Sequence, residues 1–187
     1  MSTPNPLDGA LLLCLDMQPA FVRAVDDGEK VLYRCRFAVA AALGLGMRAA
    51  FTEQVPAKMG GTESRLLSLA ASPSVHAKDT FSALAASSPV REALLGDGDV
   101  THLVLCGVET PICVYQTAVD ALKEGLAVTL LSDAVGARRP SDARTCLEAL
   151  ARAGAHVLPS ETVFYSIVGG TAHPYFKAYT QLVKSYG

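Results

Sequence analysis

Charge is scarce in this chain of 187 residues: Asp, Glu, Lys and Arg make up 18% of it, against roughly 25% in ordinary soluble domains, while 50% of residues are hydrophobic. A monomer of that composition leaves much apolar surface uncovered, so part of the outside is expected to face further copies of the chain in a homo-oligomer. An excess of positive charge is missing too. Sixteen Lys and Arg against 18 Asp and Glu give a net charge of −2, which provides no electrostatic footprint for nucleic acid or an anionic membrane. Long hydrophobic runs are absent as well: the longest, Phe37 to Met47, covers 11 residues between Arg36 and Arg48, where crossing a bilayer takes about 18 or more. The amino terminus carries no basic segment and its apolar stretch stops at Asp16. No secretory leader is therefore expected, and the protein reads as cytoplasmic.

Disulfide and metal signatures are also lacking. The five cysteines, Cys14, Cys35, Cys106, Cys113 and Cys146, are odd in number and have no CxxC spacing, so neither a disulfide framework nor a zinc ribbon is indicated. Most read as small core hydrophobes, with one left over for chemistry. His76, His102, His156 and His173 are scattered without ligand spacing, so no metal and no cofactor is expected.

What is present is a repeated switch between short apolar runs and helical periodicity, the pattern of an α/β domain. Candidate strands are Ala10 to Leu15, Arg48 to Thr52, His76 to Lys78, His102 to Cys106, Ala127 to Leu131 and His156 to Leu158. Their continuous apolar character predicts a parallel sheet covered on both faces. Helical spacing marks Lys30 to Leu43, Pro111 to Glu124 and Ser141 to Ala153, with further helices near Glu63 to Ala70 and Pro174 to Lys184. A single domain over 1–187 accommodates these elements. The segment from Gly44 to Ala49 fits the letters G-x-G-x-x-A, but it follows a helix and opens a strand. A dinucleotide fingerprint needs the reverse, so it reads as a helix end and a tight turn.

Ligands of open parallel sheets bind beyond the carboxyl ends of the strands. Three such ends carry chemistry: Asp16, Lys78, and the stretch from Cys106 through Glu109, Thr110 and Pro111 to Cys113. Thr110 suits a helix N-cap and Pro111 the first helical position, which places Cys113 in a first turn where the helix dipole favours a thiolate. A cation about 4 Å away contributes roughly 4 kcal/mol at an effective dielectric of 20, or about three pKa units; Lys78 supplies it, with Asp16 cancelling part. Phe21, Gln54, Phe81 and Ile112 follow the same strand ends and are candidate pocket residues. Six of the 12 aromatics, Phe164, Tyr165, Tyr175, Phe176, Tyr179 and Tyr186, fall in the segment 160–187, a bias that suits an interface or a lid.

The segments LLLCLDMQPAF, FTEQVPAKMGGT, HAKDTFSAL, VLCGVETPICVYQTAVDAL and LLSDAVGARRPSD resemble the isochorismatase-like cysteine hydrolase superfamily over nearly the whole chain. GVETPICV, with Thr52-Glu53-Gln54 after the second strand, is most similar to its metal-free, isochorismatase-domain-containing subgroup. The resemblance implies a three-layer α/β/α fold, Rossmann-like, with six parallel strands in the order 3-2-1-4-5-6. It also implies an Asp-Lys-Cys triad on Asp16, Lys78 and Cys113, and a non-proline cis peptide at Val108-Glu109 with the backbone N–H groups of Glu109 and Cys113 as an oxyanion hole. The implied reaction is attack of the cysteine on a carbonyl carbon and hydrolysis of a thioester, releasing ammonia or an amine. Nicotinamidases of the superfamily carry Asp-x-His after the second strand where this chain has Thr52-Glu53-Gln54, and isochorismatases proper lack the cysteine. The expectation is a hydrolase of a C–N bond in a small amide or carbamoyl compound. Two alternatives stand beside it: a catalytically idle scaffold or binding protein that kept the fold, and an oxidoreductase.

Overall fold

A computed structural model describes residues 7–186. Residues 1–6 and residue 187 of the expected 1–187 domain lie outside the described residues, and with them the first six residues of the amino-terminal segment read for a leader. Six strands, β1 (Ala10–Leu15), β2 (Arg48–Gln54), β3 (Ser74–Lys78), β4 (His102–Val108), β5 (Ala127–Gly136) and β6 (His156–Leu158), form one sheet in the order β3-β2-β1-β4-β5-β6. Every pairing is parallel. This is the expected doubly wound order, and it reverses direction at β1 and β4, the place where such sheets bind ligands.

The alternation of side chains along the central strands builds two cores. Leu12 and Cys14 of β1 and Val104, Cys106 and Val108 of β4 point to one face; Leu11, Leu13 and Leu15, with Leu103 and Leu105, point to the other. Over the first face lie α1 (Pro19–Ala24), α2 (Gly28–Gly44), α8 (Ser160–Val168) and α9 (Phe176–Tyr186), through Leu32, Phe37, Phe164 and Tyr179. Over the second lie α5 (Pro89–Leu95), α6 (Tyr115–Lys123) and α7 (Pro140–Arg152), through Val90, Leu94, Ala118 and Leu150. Two short helices, α3 (Pro56–Met59) and α4 (Ser64–Leu67), sit between β2 and β3.

Differences from the sequence reading are local. Three helices have too few residues for a 3.6-residue apolar stripe to stand out, α1, α3 and α5, while α8 falls within the expected helical 160–187 segment. The expected helix near Glu63 to Ala70 shrinks to the single turn of α4. The aromatic tail turns inward: the rings of Phe164, Tyr179 and Tyr186 lie 6.1, 6.1 and 5.8 Å from that of Phe37 on α2. Most of the aromatic bias is thus spent covering α2, and among these rings only Tyr165 is strongly exposed. The Gly44 to Ala49 segment is a helix end and turn, with Gly46 at φ 81°.

Gly107 is required by the approach of two strands. Its φ is 108°, and a Cβ at that position would stand 2.1 Å from the Leu15 carbonyl oxygen on β1. No other residue fits where β1 and β4 converge on the segment leading to Cys113.

Candidate active site

Asp16 leaves the end of β1 with a left-handed φ of 53°, which turns its carboxylate over the carboxyl edge of the sheet. Its backbone N–H donates to the Thr52 carbonyl at 3.1 Å, and the Thr52 hydroxyl donates to Asp16 Oδ1 at 2.6 Å. Lys78, the last residue of β3, reaches across β2. Its Nζ donates to Asp16 Oδ2 at 2.7 Å, to Gln54 Oε1 at 2.6 Å, and to the carbonyls of Thr80 and Phe81 at 3.3 and 3.2 Å. The side chains of Lys78 and Asp16 are 0% and 1% exposed, so each charge depends on the other and on these polar contacts for what water would otherwise provide.

Cys113 arrives from β4 through a π-helical turn, Thr110–Val114, rather than the first turn of an ordinary helix. The Thr110 hydroxyl does not cap this turn; it donates to the Gly136 carbonyl at the end of β5, at 3.0 Å. That bond ties the turn to the neighbouring strand. The Val108-Glu109 peptide is cis. The Cys113 thiol lies beside the Asp16 carboxylate and Glu109, which border the same cleft. Burial, followed by the negative charge of Asp16, pushes it up to about 12, against smaller lowering effects of Lys78 and the Glu109 N–H. The expectation of a resting thiolate therefore does not hold: the lysine is spent on Asp16, and the dry surroundings favour the neutral thiol.

A cleft of about 330 Å³, its mouth included, opens above these groups. All four residues expected to line a pocket border it: Phe21 from α1, Gln54 from β2, Phe81 after β3 and Ile112 beside Cys113. Val108 and Glu109 complete the wall. No histidine borders the cleft. His102 instead pairs with Thr129 at 2.9 Å and His76 with Ser74 at 2.8 Å. At the rim, Glu109 holds Arg138, accepting from its backbone N–H and from its Nε at 2.9 Å each.

Three contributors were not among the expected site residues. Thr52 orients the Asp16 carboxylate. Gln18 accepts from the Gln54 N–H at 2.8 Å and donates to the Gln54 carbonyl at 3.2 Å, clasping β2 to the loop after β1. Arg138 pairs with Glu109, 29 positions away in sequence. Thr52 and Gln54 stand where a metal motif was sought, and their position at a strand end was the available signal.

The remaining cysteines behave as packing residues with one exception. The Sγ atoms of Cys14, Cys35 and Cys106 lie within 4.8 Å of one another in the first core, fully buried, whereas Cys146 on α7 is partly exposed. Among the described residues no helix is long and apolar enough to cross a membrane.

Residues 10–162 match the model of the isochorismatase domain. The chain belongs to the isochorismatase family. Isochorismatase domain-containing protein 2 of Bos taurus is 35% identical over 179 residues, covering 96% of this chain and 84% of the bovine one. A Caenorhabditis elegans structure described as MAR1 ribonuclease superposes with a TM-score of 0.87 at 30% identity, over 95% of this chain and 91% of that one. The nicotinamidase PncA of Bacillus subtilis shares the fold, with a TM-score of 0.69 at 21% identity over 80% of this chain and 99% of that one. Membership places the chain in an isochorismatase-like hydrolase family.

Proposed function

We propose that this isochorismatase-family chain is a cysteine hydrolase that cleaves a C–N bond of a small amide or carbamoyl compound through a thioester, without a metal. The observation that carries the reading is the meeting of three strand ends: the Cys113 thiol in one cleft with an Asp16 carboxylate that Lys78 holds at 2.7 Å. As sulfur attacks the carbonyl carbon, the thiol proton passes to Asp16, so no thiolate has to exist beforehand. The carbonyl oxygen takes up the negative charge, facing the N–H groups of Glu109 and Cys113. Collapse breaks the C–N bond and expels the amine, which carries away the proton held by Asp16. Water then attacks the thioester, giving its proton to Asp16. Breaking of the C–S bond returns that proton to sulfur and frees the acid. Lys78 keeps the carboxylate charged and in place throughout.

The test is ammonia release from a panel of amides and ureides, with protein dialysed against a chelator, alongside mass spectrometry for an acyl adduct. Wild-type protein is expected to give both and Cys113→Ala neither. Zinc- or iron-dependent recovery of an activity lost on dialysis overturns the metal-free assignment. If the wild type forms no adduct and releases no ammonia with any member, the idle scaffold takes precedence. The relative described as a ribonuclease adds a competing reading, which an RNA substrate in the same panel addresses. The net charge of −2 speaks against it. Self-association is part of the same proposal, supported by the low charge and by exposed Tyr33, Tyr165 and Leu158. Sedimentation at micromolar concentration is expected to show more than one subunit, and a monomer there refutes it.

A further inference from the structure

The reading above leaves the acyl half of the substrate open, and the inference that follows rests on that reading. We propose that the site takes small primary amides of hydrocarbon acids, aryl or branched alkyl, and discriminates against carbamoyl compounds and against acyl groups that carry a polar atom.

Beyond the reacting groups, the wall of the cleft is Phe21, Phe81, Val108 and Ile112, two rings and two branched side chains. The polar groups that border it are already engaged within the protein. Gln54 Oε1 accepts from Lys78 and its Nε2 donates to the Asp79 carbonyl at 3.0 Å. Asp16 is bound by Thr52 through one oxygen and by Lys78 through the other. Lys78 has four acceptors. Both Glu109 oxygens are held by Arg138, at 2.9 and 3.1 Å.

A carbamoyl substrate has a nitrogen beside the carbonyl where a hydrocarbon acyl group has its first carbon. Its hydrogens, or a ring nitrogen in the same place, lose water against these four side chains and gain no unengaged partner. Exchanging one such hydrogen bond to water for none weakens binding by roughly ten- to a hundredfold. Phe81 adds a second observation. Its backbone carbonyl is fixed by Lys78, yet the side chain is 55% exposed beside the cleft. A hydrocarbon acyl group covers that ring and gains by it, whereas a polar group forfeits the gain.

Isosteric pairs isolate the effect. Benzamide and nicotinamide differ by one ring CH against nitrogen; isovaleramide and isopropylurea differ by a CH2 against an N–H beside the carbonyl. The kcat/KM for ammonia release on wild-type protein is measured for each pair. Binding to Cys113→Ala by calorimetry is measured in parallel, because that variant keeps the wall and removes differences in intrinsic reactivity. The hydrocarbon member of each pair is expected to be favoured by roughly ten- to a hundredfold in both measurements. Equal or better use of nicotinamide or isopropylurea, with ammonia and an acyl adduct still formed, overturns the apolar assignment and leaves the hydrolase reading intact. Absence of ammonia and adduct with all four, while another amide of the panel gives both, overturns this inference alone; absence with every member overturns the hydrolase reading, and this inference with it.

Discussion

Two ion pairs flank Cys113 and look alike by distance: Lys78 to Asp16 at 2.7 Å, and Arg138 to Glu109 at 2.9 Å. Their surroundings separate them. The first is 0% and 1% exposed at its side chains, the second 61% on the arginine. Water and salt screen the rim pair, so its loss is absorbed by solvent. The interior pair has no such reserve, and removing one partner strands the other in a dry site. Length of an ion pair therefore says little about its role here; burial decides which pair the sheet edge depends on.

Breaking the interior pair gives the largest expected effect. Lys78→Met leaves the Asp16 carboxylate without its cation and should cost roughly 3–5 kcal/mol in urea unfolding, together with the loss of acylation. A midpoint unchanged from wild type would mean that Thr52 and the backbone hold Asp16 unaided. Next comes Asp16→Asn, nearly isosteric, which removes the proton acceptor and should lower the rate by about 10² to 10⁴. Combined with Cys113→Ala it should be no slower than Cys113→Ala alone, because the base has no task without the thiol. Additive losses in that double-mutant cycle would separate the two residues functionally.

A smaller effect concerns alkali. Burial is the leading cause that raises both Cys113, to about 12, and Cys35, so folding favours their protonated forms. The sign follows from linkage: the unfolded chain binds fewer protons above the ordinary thiol range, so stability is complete below it and falls as pH rises toward the folded values. The slope should approach about 1.4 kcal/mol per pH unit for each such thiol, measured by urea unfolding between roughly pH 8.5 and 11. The same neutral thiol makes kcat/KM nearly flat across pH 7 to about 8.5; a tenfold rise per unit would mark a preformed thiolate as the attacking species. Arg138→Ala should change least. Its unfolding midpoint is expected to coincide with wild type, and a clear drop would show that the rim pair carries structural weight its exposure does not suggest.

Much of this architecture was legible because parallel strands buried on both faces leave unbroken apolar runs, and because such sheets present their strand ends together. Asp16, Lys78 and Cys113 were readable on that ground, as were Phe21, Gln54, Phe81 and Ile112 around them. What stayed hidden depends on distances that sequence does not carry. Burial, followed by the negative charge of Asp16, reversed the expected charge on Cys113, and Lys78, held by Asp16 at 2.7 Å, offsets only part of it. The Thr110 hydroxyl went to β5 because Gly136 offers a carbonyl at 3.0 Å, where local rules favoured a cap. The tail aromatics were ambiguous for a related reason: a ring suited to an interface is equally suited to Phe37.

The central place of β1 has a consequence for the order in which the molecule acquires its properties. The pair Asp16 and Lys78 bridges 62 positions of sequence, and Cys113 joins it only when β4 has docked on the opposite side of β1. A chain in which only β1, β2 and β3 have paired brings the carboxylate and the amine to neighbouring strand ends with no thiol beside them. Contacts of such separation form slowly relative to local helices. Assembly of the site thus waits on β4: a copy in which β4 has not docked on β1 presents no assembled nucleophile, and activity reports that pairing rather than the presence of any one element.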